Sequence, residues 1–519
     1  MSSFRSSAPG RAAMSFRLWA GIWLAITILC WGTGLVTDDF VHLWNGLNRR
    51  ALESLRPNEY LSNPVLHYTH ALAYHAIGNN LFAYDLLKAV YLACSVLFAS
   101  KFLEGFVSPK RAAAYGFVFV FLPLHDSATF WLTGLYLTLS FCLFLFAYAQ
   151  GVRARYGWAT VFSLLGSYSS YGSPPIAIGL TVLALAQRRN RLAACLAIPN
   201  ATYLIYYIVT SEFLKSGTQR LTGNRDIASM VKQFIIQIAS FVDASVGPSS
   251  WAKIMYSIGS LNALGVIAGA IVTMAIIWLS RRKEEDAESK HLLYCAAVIL
   301  FAAFGMFALT GLYPQLAFNL GNRVMIYGSF FLMAALVSTK LPRTVEVIAL
   351  AVICFATVGV ATHWKAWNQD VQALASKIQS NENIKKFAPG EILFVSDHQY
   401  SRLGRFCHID FFTADYVVGA FFKLQLGEAS PVQTKSFNRR LKLEAGKLTD
   451  RKYAESTLVK GGIWLYDSEL NRLDWLPEEN IQGRLNSLPD ETRHWTQLPE
   501  VEWLRPVLLA WIPRLQFAY

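Results

Sequence analysis

The chain has 519 residues, of which 54% are hydrophobic, 14% aromatic and only 16% charged. This composition excludes an ordinary soluble protein and predicts a polytopic helical membrane protein. A net charge of +13 would suggest a nucleic-acid partner for a soluble chain, but here Lys and Arg are concentrated in the short connections between apolar runs. That distribution is the positive-inside pattern of membrane proteins, so no nucleic-acid partner is expected.

The apolar runs predict about eleven membrane-spanning helices by their length and hydropathy. They lie near residues 18–36, 81–103, 112–124, 132–150, 158–169, 174–187, 192–211, 254–280, 291–311, 324–339 and 345–362. With the amino end in the cytoplasm, the inner connections carry basic residues, such as the run Arg281-Arg282-Lys283, whereas the outer connections at 125–131 and 170–173 carry none. An odd number of spans then places the chain after His363 outside the membrane.

Two adjacent carboxylates, Asp38 and Asp39, directly follow the first apolar run. Acidic side chains are costly where a helix leaves the bilayer, which makes them candidates for a functional role. An aspartate at this position can serve as the base of an enzyme whose reaction occurs at the outer surface. The alternative interpretation is a solvated end-cap that stops the first helix.

The fifth and sixth apolar runs are each too short to cross about 30 Å of hydrocarbon as a straight helix. Residues 168–175 join them, and Gly172, Pro174 and Pro175 break the helix there. We expect a hairpin that reaches partway through the membrane under an outward-facing cavity. A single kinked helix is the alternative, and it would invert every later loop.

Two outer segments are long, and the composition changes after Thr362. Residues 40–80 predict two helices in the membrane interface, and residues 230–242 predict another helix half-sunk in the surface. Beyond the last span, residues 366–386 are helical in pattern, and residues 391–395, 416–422, 462–466 and 507–512 resemble strands. We therefore predict a transmembrane domain over residues 1–362 and a mixed α/β domain outside the membrane over residues 363–519.

Polar residues that can carry chemistry cluster in the outer segments. Five of the ten histidines lie there: His42, His67, His70, His75 and His125. On a helix, His67 and His70 share a face but His75 does not, so contacts with a substrate or the interface are favoured over a complete metal site. Asp126, next to His125, can hold a metal, assist a base or cap the following helix. A divalent metal is therefore an open alternative, and no other cofactor is expected.

Arg323 is a basic residue in an outer connection, where the positive-inside pattern predicts none. A guanidinium at the level of the lipid headgroups can grip phosphate oxygens through paired hydrogen bonds. Gly321 and Asn322 beside it would let backbone amides approach the same anion. The alternative interpretation is an interfacial anchor that contacts lipid phosphates.

Six features of the chain together resemble the GT-C superfamily. They are an acid after the first helix (Asp38-Asp39), surface helices in the loop that follows, an acid after the third span (Asp126), a short fifth and sixth pair of spans, a late outer-loop Arg323 and a terminal outer domain. Members of this superfamily are membrane glycosyltransferases that depend on polyprenyl phosphate. The resemblance covers the whole chain as architecture. Asp126 is a single acid rather than a full Asp-x-Asp pair, and in this the chain departs from the family pattern, so the metal dependence that some members show stays open.

The resemblance implies an inverting glycosyltransferase of the bacterial inner membrane, with its amino end cytoplasmic and its terminal domain periplasmic. A sugar would pass from a polyprenyl-phosphate donor to an acceptor hydroxyl on a protein such as pilin, on lipid A or on a polysaccharide. Asp39 or Asp38 would be the base, and Arg323 with Asn322 would bind the donor phosphate. The alternatives are an enzyme of the O-antigen polymerase or ligase type, and a transporter or flippase of lipid-linked sugars.

Overall fold

The computed structural model describes residues 16–48, 63–210, 226–281, 290–310, 315–387, 390–427, 432–451, 455–504, 506–507 and 510. The first part of the chain is helical. Its helices are α1 (Phe16–Cys30), α2 (Asp38–Asn48), α3 (Pro64–Ile77), α4 (Leu81–Leu103), α5 (Pro109–Val120), α6 (Ser127–Phe130), α7 (Leu132–Val152), α8 (Tyr156–Ser169), α9 (Pro174–Ala186), α10 (Asn190–Ile208), α11 (Ile227–Val246), α12 (Pro248–Gly259), α13 (Ala263–Leu279), α14 (Lys290–Thr310), α15 (Ile326–Ser338) and α16 (Arg343–Ser380). The 38-residue helix α16 leads from this part into the second.

Within the described residues, six helical stretches are long and apolar enough to cross a membrane. They are Leu81–Leu103, Leu132–Val152, Ile227–Gly259, Lys290–Thr310, Leu320–Ser338 and Arg343–Ser380, and three shorter apolar helices accompany them: Phe16–Cys30, Pro174–Ala186 and Ala263–Leu279. The helical membrane architecture is thus supported in outline, while the number of about eleven spans stays a prediction.

One predicted span differs from the structure. The run 254–280 is divided between α12 and α13, because Asn262 caps the start of α13 by accepting a hydrogen bond from the Gly265 amide. Residues 230–242 are helical, as predicted, and belong to the stretch Ile227–Gly259, which is long and apolar enough to span; their place in the membrane interface stays a prediction. Of the two predicted interface helices in the first outer segment, α2 and α3 are present, and residues 49–62 lie outside the described residues.

The chain reverses between α8 and α9, as the hairpin interpretation predicts. The residues that follow α9 return to the end of α7: Arg189 donates to the Val152 carbonyl (3.1 Å), and Tyr148 donates to Gln187 (2.7 Å). At the tip of the hairpin, the Asn63 side chain accepts a hydrogen bond from the Tyr171 amide (2.8 Å). In a single kinked helix, the start of α8 and the end of α9 would lie far from each other.

The second part of the chain is a mixed α/β domain. Its elements are α17 (Glu382–Lys385), β1 (Ile392–Ser396), β2 (Tyr400–Leu403), β3 (Phe406–Asp410), α18 (Asp415–Leu426), β4 (Gln433–Ser436), β5 (Leu441–Glu444), β6 (Lys447–Asp450), β7 (Ser456–Leu458), β8 (Gly462–Asp467), β9 (Arg472–Pro477) and α19 (Glu478–Ser487). The main sheet has the order β4-β1-β8-β9, in which β4, β1 and β8 run parallel and β9 is antiparallel.

Two of the four strand predictions for this domain hold, namely those at β1 and β8. The strand predicted at residues 416–422 is wrong, because this segment lies inside helix α18. Val417, Val418, Phe421 and Phe422 are all buried there and recur at helical spacing. The fourth prediction, residues 507–512, falls mostly outside the described residues, and residue 507 is helical.

Candidate functional site

Asp38 and Asp39 do not end the first helix. Helix α1 stops at Cys30, and the two aspartates form the first turn of α2 after an irregular turn of the chain. Within that turn, Gly32, Gly34 and Thr37 have positive φ angles of 80°, 62° and 42°. Asp39 is fully buried, so the interpretation of both residues as a solvated end-cap of the first helix does not fit the structure.

The Asp39 carboxylate is held by three hydrogen bonds from two segments. Its Oδ1 accepts from the backbone amide (3.0 Å) and the hydroxyl (2.7 Å) of Thr133, and its Oδ2 accepts from the Val36 amide (3.1 Å). Burial raises the pKa of the Asp39 carboxyl from 3.8 to about 6, although these hydrogen bonds and the charge of Lys88 oppose the shift. A carboxyl with a pKa near neutrality is suited to accept a proton from a substrate.

Asp38 faces a different environment. It is half-buried, and its Oδ1 accepts a hydrogen bond from the Tyr416 hydroxyl (3.1 Å) of the α/β domain. That contact belongs to a larger junction in which Phe40 of α2 packs edge-on against Phe421 and Phe411, at 4.9 and 5.7 Å between ring centroids. The α/β domain therefore lies directly over the helix that carries both aspartates.

His42 and His70 lie side by side between α2 and α3, with ring centroids 5.2 Å apart. Burial lowers the pKa of His42 to about 3 and that of His70 well below its usual value, so both imidazoles are neutral at physiological pH. His67 is also buried on α3. The described residues contain no group of three or more His, Cys, Asp or Glu side chains arranged to hold a metal ion.

Asp126 is a buried hub whose two carboxylate oxygens each accept from two side-chain donors. Its Oδ1 accepts from Lys253 (2.5 Å) and Asn322 (2.6 Å), and its Oδ2 accepts from Trp364 (2.6 Å) and His408 (2.8 Å). Burial alone would raise its pKa, but Lys253 and His408 hold the pKa of this carboxyl well below its usual range. The side chain makes no helix-capping hydrogen bond.

His125 and Asn322 are placed inside the protein around this hub. The Nδ1 atom of His125 is 2.8 Å from the Ser329 hydroxyl on α15, and its ring is fully buried. The Asn322 side chain donates to Asp126 and accepts from the Ser127 amide (3.1 Å). Neither side chain faces the outer surface. Of the residues predicted to bind the donor phosphate, Asn322 is therefore engaged in the hub, and Arg323 is the one whose side chain can contact an anion.

Arg323 lies on the 3-10 turn Leu320–Met325, directly after Asn322. Its guanidinium is half-buried and stacks over the Trp131 ring, 5.1 Å from the ring centroid. Asp126 and Ser127 fix the turn from one side through Asn322, and the Asn319 side chain accepts from the Gly321 amide (2.5 Å). The cation is therefore carried by a rigid segment.

The start of helix α7 brings the two candidate groups together. Thr133 binds Asp39, and Trp131, two residues earlier, packs against Arg323. Two consecutive peptide units span at most about 7 Å between Cα atoms, so a carboxylate and a guanidinium flank the same short segment. Sequence reasoning found Asp39 and Arg323 but missed both Trp131 and Thr133, which lie in an apolar run and carry no charge.

An apolar cavity of about 470 Å³ lies between α9, α10 and α14. The tip of the hairpin and aromatic side chains line it, including Tyr171, Tyr203 and Phe307. Tyr327, one helical turn after Arg323, joins the two regions: its hydroxyl donates to the Gly172 carbonyl (2.6 Å), and its ring is 5.9 Å from that of Phe307.

The fold is that of a helical protein with candidate membrane-spanning helices and a C-terminal mixed-sheet domain. At its candidate site, a buried carboxylate contacts Thr133 and a cation contacts Trp131 of the same short segment. The sequence matches no family model and no curated protein, and the fold matches no solved structure.

Proposed function

We propose that the protein is an inverting glycosyltransferase that moves a sugar from a polyprenyl-phosphate donor to an acceptor hydroxyl at the outer face of the bacterial inner membrane. The observation that carries this proposal is the fully buried Asp39, whose pKa is raised to about 6 beside the Arg323 segment. A base and a phosphate-binding cation on either side of Trp131–Thr133 are the two groups that such a transfer needs.

In the proposed reaction, Asp39 takes the proton of the acceptor hydroxyl as its oxygen bonds to the anomeric carbon of the sugar. The bond between that carbon and the donor phosphate oxygen breaks, and its electron pair leaves with polyprenyl phosphate. Arg323 stabilises the negative charge that grows on this phosphate. Asp38, half-exposed and bonded to Tyr416, is the second candidate for the base.

The apolar cavity supports a lipid donor. Its volume and aromatic lining suit part of a prenyl chain, and Tyr327 connects it to the turn that carries Arg323. A chain seated there would place its terminal phosphate toward the guanidinium. The acceptor, a protein such as pilin, lipid A or a polysaccharide, would approach from the side of the α/β domain, which covers α2.

Mass spectrometry of surface glycans and pilus proteins, from cells with and without the gene, tests the proposal. We expect a sugar modification that disappears without the gene and is restored by the wild-type chain. Asp39→Asn should fail to restore it, since general-base catalysis contributes about 10²–10⁴ in rate. Arg323→Lys should restore it poorly, because an ammonium cannot reproduce the planar fork of a guanidinium.

Two results would replace the proposal with an alternative. Unchanged glycan linkages, together with lipid-linked sugar accumulating on the inner face, would indicate a transporter or flippase. In the second result, cells without the gene show shorter polymers or lose ligation, and Asp39→Asn restores both. That result would indicate an enzyme of the O-antigen polymerase or ligase type, which needs no acid at this position.

A further inference from the structure

A buried ion pair lies on α4, outside the site described above. Lys88 is fully buried and Asp85 is 5% exposed, and Lys88 Nζ is 2.9 Å from Asp85 Oδ1. Both residues fall within Leu81–Leu103, one of the candidate membrane spans. Burying a charged side chain in such a segment is unfavourable in free energy, so charged residues there usually have a functional role.

Both members of the pair form hydrogen bonds with the turn that precedes Asp39. The Asp85 carboxylate accepts hydrogen bonds from the amides of Gly32 (2.8 Å) and Gly34 (3.0 Å). The Lys88 ammonium donates to the Thr33 hydroxyl and to the Gly34 carbonyl, both at 2.6 Å. Two charged side chains thus place their short contacts on three consecutive residues of one turn.

That turn needs to be held. Thr37 has φ of 42°, and a β-branched residue in the left-handed region is strained by about 1–3 kcal/mol. Such strain persists only where surrounding contacts over-determine the backbone. Helix α16 adds a further contact, in which Asn368 donates to the Gly32 carbonyl (3.0 Å), and a Cβ at Gly34 would collide with the same Asn368 side chain.

We propose that Asp85 and Lys88 are positioning residues for Asp39: they fix the turn so that the carboxylate meets Thr133. This inference rests on the proposed function for its catalytic meaning, but its physical content concerns Asp39 alone. The ionisable groups around Asp39 are Asp38, the Asp85–Lys88 pair and the phenols of Tyr74 and Tyr84, and Lys88 is the positive charge among them.

The test measures the protonation of Asp39 directly. Dicyclohexylcarbodiimide reacts with protonated carboxyls in apolar surroundings, and tandem mass spectrometry assigns each adduct to its residue. An Asp38→Asn background leaves Asp39 as the carboxyl at the start of α2, and an adduct on Asp85 is counted separately. We expect labelling of Asp39 to have its midpoint near pH 6. Lys88→Met should shift this midpoint upward by about 0.5–1 pH unit, because a loosened turn weakens the hydrogen bonds from Thr133 to Asp39 and an opposite charge is removed.

Two variants control for nonspecific effects. Lys101→Met makes the same substitution on the same helix, at a residue that pairs with Glu104 (2.6 Å) away from the turn, and should leave the midpoint unchanged. Lys88→Arg keeps a positive charge and hydrogen-bond donors for Thr33 and Gly34, and it should leave the midpoint closer to that of wild type than Lys88→Met does. If Lys88→Met does not fold, adding Thr37→Gly relieves the strained φ, and the measurement is made on the double variant with Thr37→Gly alone as its reference.

An unshifted midpoint in folded Lys88→Met would overturn the proposal, whatever the protein transfers. A shift confined to Lys88→Met supports it. If that shift appears but the wild-type chain modifies no glycan or protein, the role of the pair at Asp39 stands, and the proposed glycosyl transfer is the part that fails.

Discussion

Replacing Asp39 with Asn should change how the stability of the protein depends on pH. The folded state holds the Asp39 carboxyl at a pKa of about 6, against 3.8 for the unperturbed group, because the side chain is fully buried. Between these two values the folded chain binds more protons than the unfolded chain. The wild-type protein therefore loses stability as pH rises through this window, whereas the Asn variant has no proton to lose there.

The magnitude follows from the size of the shift. About two pKa units correspond to about 3 kcal/mol of free energy of unfolding, since each unit is worth about 1.36 kcal/mol. Asn also loses one of the acceptors that Thr133 and Val36 use, which costs about 1–2 kcal/mol at every pH. The pH-dependent part is separable, because only the carboxyl titrates.

Thermal unfolding of the purified protein in detergent, scanned from pH 4 to pH 7, measures the difference. We expect the variant to gain about 2–3 kcal/mol relative to wild type over this range. With an unfolding entropy of about 1.1 kcal/mol/K for a chain of this length, that gain corresponds to a relative rise in Tm of about 2–3 °C.

A control of opposite sign comes from Asp226. Hydrogen bonding to the Ser229 amide lowers the pKa of this exposed carboxyl below its usual 3.8, so Asp226→Asn should lose stability relative to wild type as pH rises toward 3.8, in a scan extended below pH 4, and should run parallel to wild type from pH 4 to pH 7. Parallel pH curves for wild type and Asp39→Asn would show that burial does not raise the pKa of Asp39, and the argument for a base poised near neutrality would be lost.

Further predictions concern the hub, the cavity and the orientation. Asp126→Asn should destabilise the protein by about 3–5 kcal/mol in chemical unfolding, because Lys253 is left as a buried, uncompensated charge, whereas breaking the exposed Lys385–Glu382 pair should have no measurable effect. Gly305→Leu, whose added side chain meets open space in the cavity wall, should displace about two methylenes of a prenyl chain and raise the KM for the lipid donor about tenfold, with kcat unchanged. Alkaline phosphatase fused after Ser380 should be active, and inactivity there would place the α/β domain in the cytoplasm.

The sequence predicted those parts of the site that have a local signal. Two carboxylates after an apolar run, and a cation in an outer connection, stand out against their neighbours whatever the fold. Thr133 has no such signal, because its hydrogen bonds reach a residue 94 positions earlier and its own neighbours are apolar. The same holds for Lys253, whose partner Asp126 lies 127 positions away. Contacts of this kind follow from helix packing and leave no periodicity in the chain.

Secondary structure was predictable where one pattern dominated. The strands β1 and β8 are continuous apolar runs between turn residues, and their identification from the sequence holds. At α18, aromatic and β-branched residues favoured a strand, although their spacing is that of a helix face. The segment forms a helix because this conformation places its apolar residues on one face, where Phe421 packs against Phe40 of α2 in the membrane part of the protein.

The hub at Asp126 also bears on the order in which the chain is made. Its donors come from residues 253, 322, 364 and 408, so the ribosome supplies them one after another, and the last arrives with the α/β domain. Until His408 docks, Oδ2 of this buried carboxylate has only the first of its two donors, Trp364. A chain truncated after α16 would keep the six candidate spans of the described residues and still lack the fourth contact of the hub. Completion of this buried site therefore depends on the domain that is synthesised last.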